Sequence, residues 1–254
     1  MTEASLITRD LTIRFGGHVA VDHVSCAFHP GELTVIVGPN GAGKTTYFNL
    51  MSGQLSASAG QVIKGGRDLT RLSPSARARR GIGRAFQLTN LFPQLSVLEN
   101  IRLVVQARSG HGWRLFRAVE TFTEIISRAE HYLEATRLGA VAHMPAATLP
   151  HGDQRKLEVA MLMAMEPDIY MFDEPTAGMS LDHAPGVLDL IAEIKKDTTK
   201  TVLLVEHKMD VVRALADRIV VLHNGVLVAD GPPEEVMNSQ IVRDVYLGTA
   251  GAEA

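Results

Sequence analysis

The clearest chemistry in the chain lies in eight consecutive residues: Gly38, Pro39, Asn40, Gly41, Ala42, Gly43, Lys44 and Thr45, with Thr46 directly behind them. They match G-x-x-x-x-G-K-[ST] at every fixed position. The glycines let the backbone curl so that successive N–H groups point into one concavity, which suits phosphate oxygens. From there Lys44 would reach the β- and γ-phosphates of a nucleoside triphosphate, and the Thr45 hydroxyl would hold Mg²⁺. A site that hydrolyses a triphosphate also needs a carboxylate on the metal side and a base. The stretch "DIYMFDE" at 168–174 offers both. Asp173 would hold Mg²⁺ through water, and Glu174 is placed to polarise an attacking water.

Those residues need elements to position them. "ELTVIVG" at 32–38 is a short apolar, β-branched run that reads as a buried strand. "KTTYFNLMSG" after the loop reads as a helix, whose positive N-terminal end would face the phosphates. "DIYMFDE" and "TVLLVEH" (201–207) read as two more buried strands, each preceded by a helical segment. The strand ending at Asp173 is expected beside the strand that feeds the loop, at the edge where α/β sheets bind ligands. "LTIRF" and "VAVDHVSCAF" form a hairpin across Gly16-Gly17, "QVIKGGRDL" is a further β excursion, and "IVVLHNGVLVAD" is a hairpin turning at Asn224-Gly225. A last helix is expected over "PEEVMNSQIVRDVYLG".

Residues 88–150 have a helical texture. In "TFTEIISRAEHYLEATRL", Phe122, Ile125, Ile126, Ala129 and Leu133 share one face. Thr121 and Glu124 suggest a capping box, and Gly139 a stop. The expected fold is therefore α/β, with a mostly helical subdomain inserted into the core.

Composition narrows the function classes. The net charge is -3, so no basic balance points to nucleic acid. One cysteine, Cys26, excludes a disulfide framework within the chain. The N-terminal residues show no basic segment followed by an apolar run, so no signal peptide is expected. The apolar stretches "VAMLMAM" and "TVLLV" are too short to span a bilayer. The ten histidines show no spacing that suggests zinc.

The phosphate loop, "LPHGDQ", "MFDEPTAG" and Glu206-His207 occur in an order and spacing that resemble the ATP-binding-cassette ATPases over nearly the whole chain. The resemblance implies a single domain over 1–254 with a P-loop NTPase (RecA-like) core, an N-terminal antiparallel β subdomain and an inserted helical subdomain. Residues 1–87 and 151–254 would form the core with the β subdomain, and 88–150 the helical part. ATP and Mg²⁺ are the implied cofactors. Gln87 in "GIGRAFQ" resembles the glutamine that contacts Mg²⁺ or the attacking water and signals to a membrane partner. His207 resembles the histidine that contacts the γ-phosphate, and Phe15 the aromatic on which adenine stacks. Ser180 stands where many members carry aspartate.

"LPHGDQ" resembles the family's L-S-G-G-Q, which closes over the nucleotide held by a second, facing ATPase subunit. Leu149 and Gly152 remain. Pro150 replaces the serine, His151 the first glycine and Asp153 the glutamine. Proline is tolerated in a first helical turn, so the helix can still aim its positive end at a γ-phosphate. The lost serine hydroxyl is a hydrogen bond to a charged group, about 1.5–3 kcal/mol. The reading is a working but weakened grip with His151 as a replacement donor; the rival is a degenerate half-site paired with a different ATPase subunit.

"RFGGHVAVDHVS", "GIGRAFQLTNLFPQLSVLENI", "DEPTAGMS" and the closing "VYLG" most resemble the ATPases of branched-chain amino-acid importers. Urea-type or other amino-acid importers and exporters are the alternatives, and a soluble cassette ATPase outside transport is a further one. The implied partners are two membrane-spanning permease subunits, a second ATPase subunit (identical or homologous) and an external solute-binding protein, with this chain at the cytoplasmic face of the membrane. A permease helix is expected near Gln87 to Leu98, against Leu88, Leu91, Phe92, Leu95 and Val97, which also suit a subdomain core.

Overall fold

The structure, a computed structural model, describes residues 3–85, 91–109, 119–179, 184–240 and 242–243. The chain divides into two compact units: residues 1–84, 168–174 and 194–254, and residues 85–167 and 175–193.

In the first unit, β1 (Leu6–Phe15) and β2 (His18–Phe28) pair antiparallel with Phe15 opposite His18, so Gly16 and Gly17 make the whole turn. β3 (Leu33–Val37) is buried at all five positions and leads through the glycine loop into α1 (Lys44–Ser52). β4 (Ala59–Lys64) turns into β5 (Arg67–Asp68) through Gly65 and Gly66, both at positive φ, as a two-residue hairpin loop requires. α2 (Pro74–Ala78) starts at Ser73, whose hydroxyl accepts from the Ala76 N–H, with proline at the first helical position. β6 (Ile82–Ala85) follows.

The second unit contains α3 (Val97–Arg108), α4 (Val119–Ala135) and α5 (His151–Ala164). Val97, Ile101 and Val105 of α3, Ala129 and Leu133 of α4, and Leu157, Ala160 and Ala164 of α5 form one buried cluster. The sequence assigns residues from 151 onward to the core, whereas α5 supplies a third side of this helical cluster.

The chain continues through β7 (Ile169–Asp173), α6 (Ala184–Lys195), β8 (Thr201–Val205), α7 (Met209–Leu215), β9 (Arg218–His223), β10 (Val226–Gly231) and α8 (Pro233–Asn238). The antiparallel sheet has the order β2-β1-β4-β5, and the larger sheet β10-β9-β3-β8-β7-β6. Within the larger sheet β9, β3, β8 and β7 run parallel. Tyr47, Phe48, Leu50 and Met51 of α1 join Ile36, Met171, Leu203, Val205 and Leu222 in the core.

The strand order corrects one expectation. β7 does not lie beside β3, because β8 pairs with both. The parallel arrangement still brings the carboxyl ends of β3, β8 and β7 to one edge, now with the β8 end in the middle. Two helix-end readings also change. α4 already runs from Val119, so Thr121 lies inside it and cannot be its cap. Its end is made at Arg137, at φ 58, where the Leu138 N–H donates to Leu133 O and the Arg137 N–H to Glu134 O. That is a Schellman end, and Gly139 opens a short 3₁₀ turn instead. Of the expected last helix, α8 covers Pro233–Asn238.

Candidate functional site

The loop after β3 bends at glycines that no other residue replaces easily. Gly38 sits at φ 151, and a Cβ there would lie 2.1 Å from Leu222 O. Gly43, at φ 96, would place one 2.5 Å from Ala20 O. Gly41 is also left-handed, at φ 78. The loop is pinned from outside, since the Gly225 N–H in the β9–β10 turn donates to Ala42 O at 3.1 Å. α1 then starts at Lys44 with Gly43 as its cap, no side-chain cap among the described residues and no carboxylate in its first turn. Thr45 and Thr46 fall in that turn. The positive helix end is left unquenched, which favours an anion.

Lys44 is buried and folds over the loop, its Nζ donating to Gly38 O at 2.8 Å and Pro39 O at 2.9 Å. Burial lowers its pKa, while the carboxylates of Glu174 and Asp173 act to raise it. These two lie at the end of β7. The Asp173 side chain is fully buried and bonds through Oδ2 to Arg84 Nη2 at 2.8 Å. Burial raises its pKa against the opposing charge of Arg84. Its Oδ1 has no partner among the described residues. Glu174 stands at φ 48, an unfavourable backbone region for a side chain of its kind. Its N–H donates to Val205 O at 3.0 Å, which locks the turn against β8.

β8 delivers Glu206 and His207 to the same edge. Glu206 is buried, and its Oε2 accepts from the main-chain N–H of His207 at 2.7 Å and of Lys208 at 3.1 Å. The His207 ring is half exposed, with Nδ1 3.7 Å from Glu206 Oε2 and 3.9 Å from Glu174 Oε1. The edge therefore gathers a lysine, three carboxylates in unlike surroundings and an imidazole. Phe15, at the end of β1, is 49% exposed, so it is not a core aromatic.

The second unit carries the variant "LPHGDQ". Leu149 is buried, Pro150 caps α5 without a side-chain bond among the described residues, His151 is exposed and Gly152 buried. The N–H groups of Asp153 and Gln154 both donate to Pro150 O at 3.0 Å. The Asp153 carboxylate pairs with Lys156 at 2.8 Å, so its charge is balanced within the first turn. Gln87 and Ser180 lie outside the described residues, as does Leu88. Val97 is fully buried in the helical cluster and Leu91 packs partly against it, whereas Phe92 and Leu95 are exposed. Leu91, Pro93, Ala146, Ala147 and Gln154 line a groove of ≈ 340 Å³.

Sequence reading missed Arg84 and gave Glu206 no role of its own. Each is a charged residue at the edge of an apolar run, in "GIGRAF" and "TVLLVEH". A charge in a strand that must be buried is a signal that it has a partner.

A sheet with four parallel central strands, a glycine loop at one strand end, a buried aspartate at another and glutamate and histidine beside them defines a P-loop ATPase. The chain belongs to the ABC transporter family, whose model matches residues 21–177. A second model, the branched-chain amino acid ATP-binding cassette transporter, matches residues 226–252. The chain is 37% identical to the high-affinity branched-chain amino acid transport ATP-binding protein LivG of Escherichia coli K12, covering 98% of this chain and 100% of that protein. It is 32% identical to the lipopolysaccharide export system ATP-binding protein LptB of the same organism, covering 96% and 98%. A crystal structure of the ADP conformation of an ATP-binding cassette of an ABC transporter superposes with a TM-score of 0.82 at 28% identity, over 97% of this chain and 100% of that one. This chain is accordingly an ATP-binding, ATP-hydrolysing subunit of an ABC transporter. No helix among the described residues is long and apolar enough to cross a membrane.

Proposed function

We propose that this chain hydrolyses ATP to power uptake of branched-chain amino acids through two separate membrane-spanning permease subunits, at the cytoplasmic face of the membrane, with an external solute-binding protein delivering the substrate. The likeness to LivG over the full length of both chains carries the substrate class, and the match at residues 226–252 supports it.

The chemistry follows from the residues at the sheet edge. Phe15 stacks the adenine. The main-chain N–H groups from Asn40 to Thr46 cradle the phosphates, and Lys44 turns from the Gly38 and Pro39 carbonyls to the β- and γ-phosphates. Asp173 keeps a buried acceptor oxygen without a partner among the described residues, and Thr45 offers a hydroxyl in the first turn of α1. An all-oxygen donor set of this kind fits Mg²⁺, which binds through few protein oxygens and keeps several waters. The Mg²⁺ would be held by Thr45, Asp173 and, by family likeness, Gln87; it would supply charge neutralisation to the phosphates. Glu174 accepts a proton from the attacking water, and His207 holds the γ-phosphate. Glu206 fixes the His207 main chain and so aims its ring.

Leu149, His151 and Gly152 close over the nucleotide of a second, facing ATPase subunit, identical or homologous. The first-turn N–H groups of α5 and the helix end supply the grip. Because Pro150 brings no hydroxyl, Pro150→Ser is expected to strengthen ATP-driven association and raise turnover about tenfold, the equivalent of one hydrogen bond to a charged group. Light scattering and phosphate release measure both. Association and turnover equal to those of the parent chain would show that this half-site is not limited by the missing serine.

The transport reading is tested by uptake of labelled leucine in cells where Lys44→Ala replaces the parent chain, with isoleucine, valine and urea as competitors. Uptake is expected to vanish, and the parental uptake to be displaced by isoleucine and valine but not urea. Phe92 and Leu95, exposed beside the ≈ 340 Å³ groove, are the proposed permease contact. Phe92→Asp is expected to abolish uptake while the purified chain still hydrolyses ATP. The likeness to LptB favours export as the second reading, and unchanged leucine uptake in Lys44→Ala cells would point that way.

A further inference from the structure

Asp173 does not face its site alone. Arg84, on β6, is buried with its guanidinium bonded to β7, to α1 and to the loop after α1. Nη2 holds Asp173 Oδ2 at 2.8 Å. Nη1 donates to Asn49 Oδ1 at 2.6 Å and Ser52 Oγ at 2.9 Å, with Gln54 Oε1 at 3.4 Å. Its carbon lies 5.7 Å from the centre of the Phe48 ring. Asn49 and Ser52 sit in the last turns of α1, the helix whose first turn carries Lys44 and Thr45. One side chain thus ties the metal-side aspartate to the far end of the phosphate-binding helix.

The geometry of Asp173 shows what this tie does. Only one of the two Asp173 carboxylate oxygens is held among the described residues. Arg84 fixes Oδ2 with a charge-assisted bond, the strong kind. Oδ1 is then the oxygen left for the ligand. The Arg84 charge also opposes the rise in the carboxyl's pKa that burial causes.

We propose that Arg84 is a positioning residue for the metal: it orients Asp173 so that Oδ1 alone faces the cation, and it sets the distance between β7 and α1, which supply the two sides of that cation's site. The inference rests on the proposal that Asp173 and Thr45 hold Mg²⁺. Outer partners of metal ligands typically contribute 10–100-fold to metal affinity. A fork is required here, because an ammonium is a point charge that can serve Asp173 or Asn49 and Ser52 but not span them.

The test uses the full purified chain and a fluorescent ATP analogue, titrated first in EDTA and then with rising Mg²⁺ or Mn²⁺. Arg84→Lys and Arg84→Gln are compared with the parent, and Asp173→Asn serves as the reference for a lost ligand. Both Arg84 variants are expected to bind the analogue in EDTA as the parent does. The cation concentration for half-maximal tightening should rise about tenfold in Arg84→Lys and more in Arg84→Gln, approaching Asp173→Asn. An unchanged half-saturation in both variants overturns the positioning role. So does loss of binding in EDTA, which would show that Arg84 merely holds α1 in place. If the parent itself does not respond to either cation, the metal reading falls, and this inference with it; a parent that responds while the variants match it isolates the failure to Arg84.

Discussion

Glu174→Gln is expected to lower ATP turnover about a thousandfold, within the range that a positioned general base contributes, while leaving ATP binding intact. The side chain is partly open to solvent at the strand edge, and its backbone is fixed by the bond to Val205 O. Glutamine has nearly the same shape, so the φ 48 turn and the packing at the end of β8 are kept. What it lacks is a carboxylate to take the proton from water. Removing a negative charge beside a bound polyanion weakens repulsion, so affinity for ATP should hold or improve. Phosphate release and equilibrium binding of a fluorescent nucleotide separate the two quantities. Turnover within tenfold of the parent would remove Glu174 as the base, and binding lost in parallel would make it a phosphate-site residue instead.

The parts of this site that were legible in the sequence are those decided locally. A left-handed backbone at Gly38, Gly41 and Gly43 is written in the glycines themselves, and a fully buried strand in its unbroken apolar run. The turns at Gly16-Gly17 and Asn224-Gly225 are local in the same sense. Strand order is not local. β8 pairs with β3 across more than 160 positions of chain, and nothing in either strand's composition says that it, and not β7, is the neighbour. The same holds for Arg84, whose meaning comes from a carboxylate 89 residues further on. The end of α4 was misplaced for a different reason. A Schellman end is positioned by the contact of its flanking apolar residues, and Leu133 and Leu138 are both in the helical cluster. That contact puts Arg137 in the left-handed position, although a glycine stands two residues later.

Arg77→Met is expected to cost about 3 kcal/mol of stability, as a donor set is withdrawn from main-chain carbonyls that are buried or partly buried. Arg77 is almost completely buried, yet the bonds of its guanidinium run to main-chain carbonyls and not to a carboxylate. Nη1 donates to Leu50 O at 2.6 Å and Met51 O at 2.8 Å, Nη2 to Thr70 O at 2.8 Å and Nε to Leu72 O at 3.2 Å. The first two belong to the last turn of α1, where carbonyls lack intrahelical donors and the helix end is negative. Gly53 caps that end at φ 82 and leaves room, since a Cβ there would lie 2.8 Å from Arg77 Nε. Burial lowers the arginine's pKa, with Asp68 acting in the opposite direction. Methionine fills most of the space but donates nothing. Leu50 O keeps the Gly53 N–H, while the other three carbonyls lose a partner. Relief from burying a charge offsets part of this, which is why the net loss is set well below the sum of three unpaired acceptors at about 1–3 kcal/mol each. Arg77→Lys keeps the charge at the helix end but reaches fewer carbonyls, so an intermediate loss is expected. Urea unfolding of the three chains measures the series. Because α1 carries the phosphate loop at its other end, saturating ATP should recover part of the loss by binding only the folded form. A methionine variant as stable as the parent would mean that these carbonyls find other donors, and that the end of α1 is not held by Arg77.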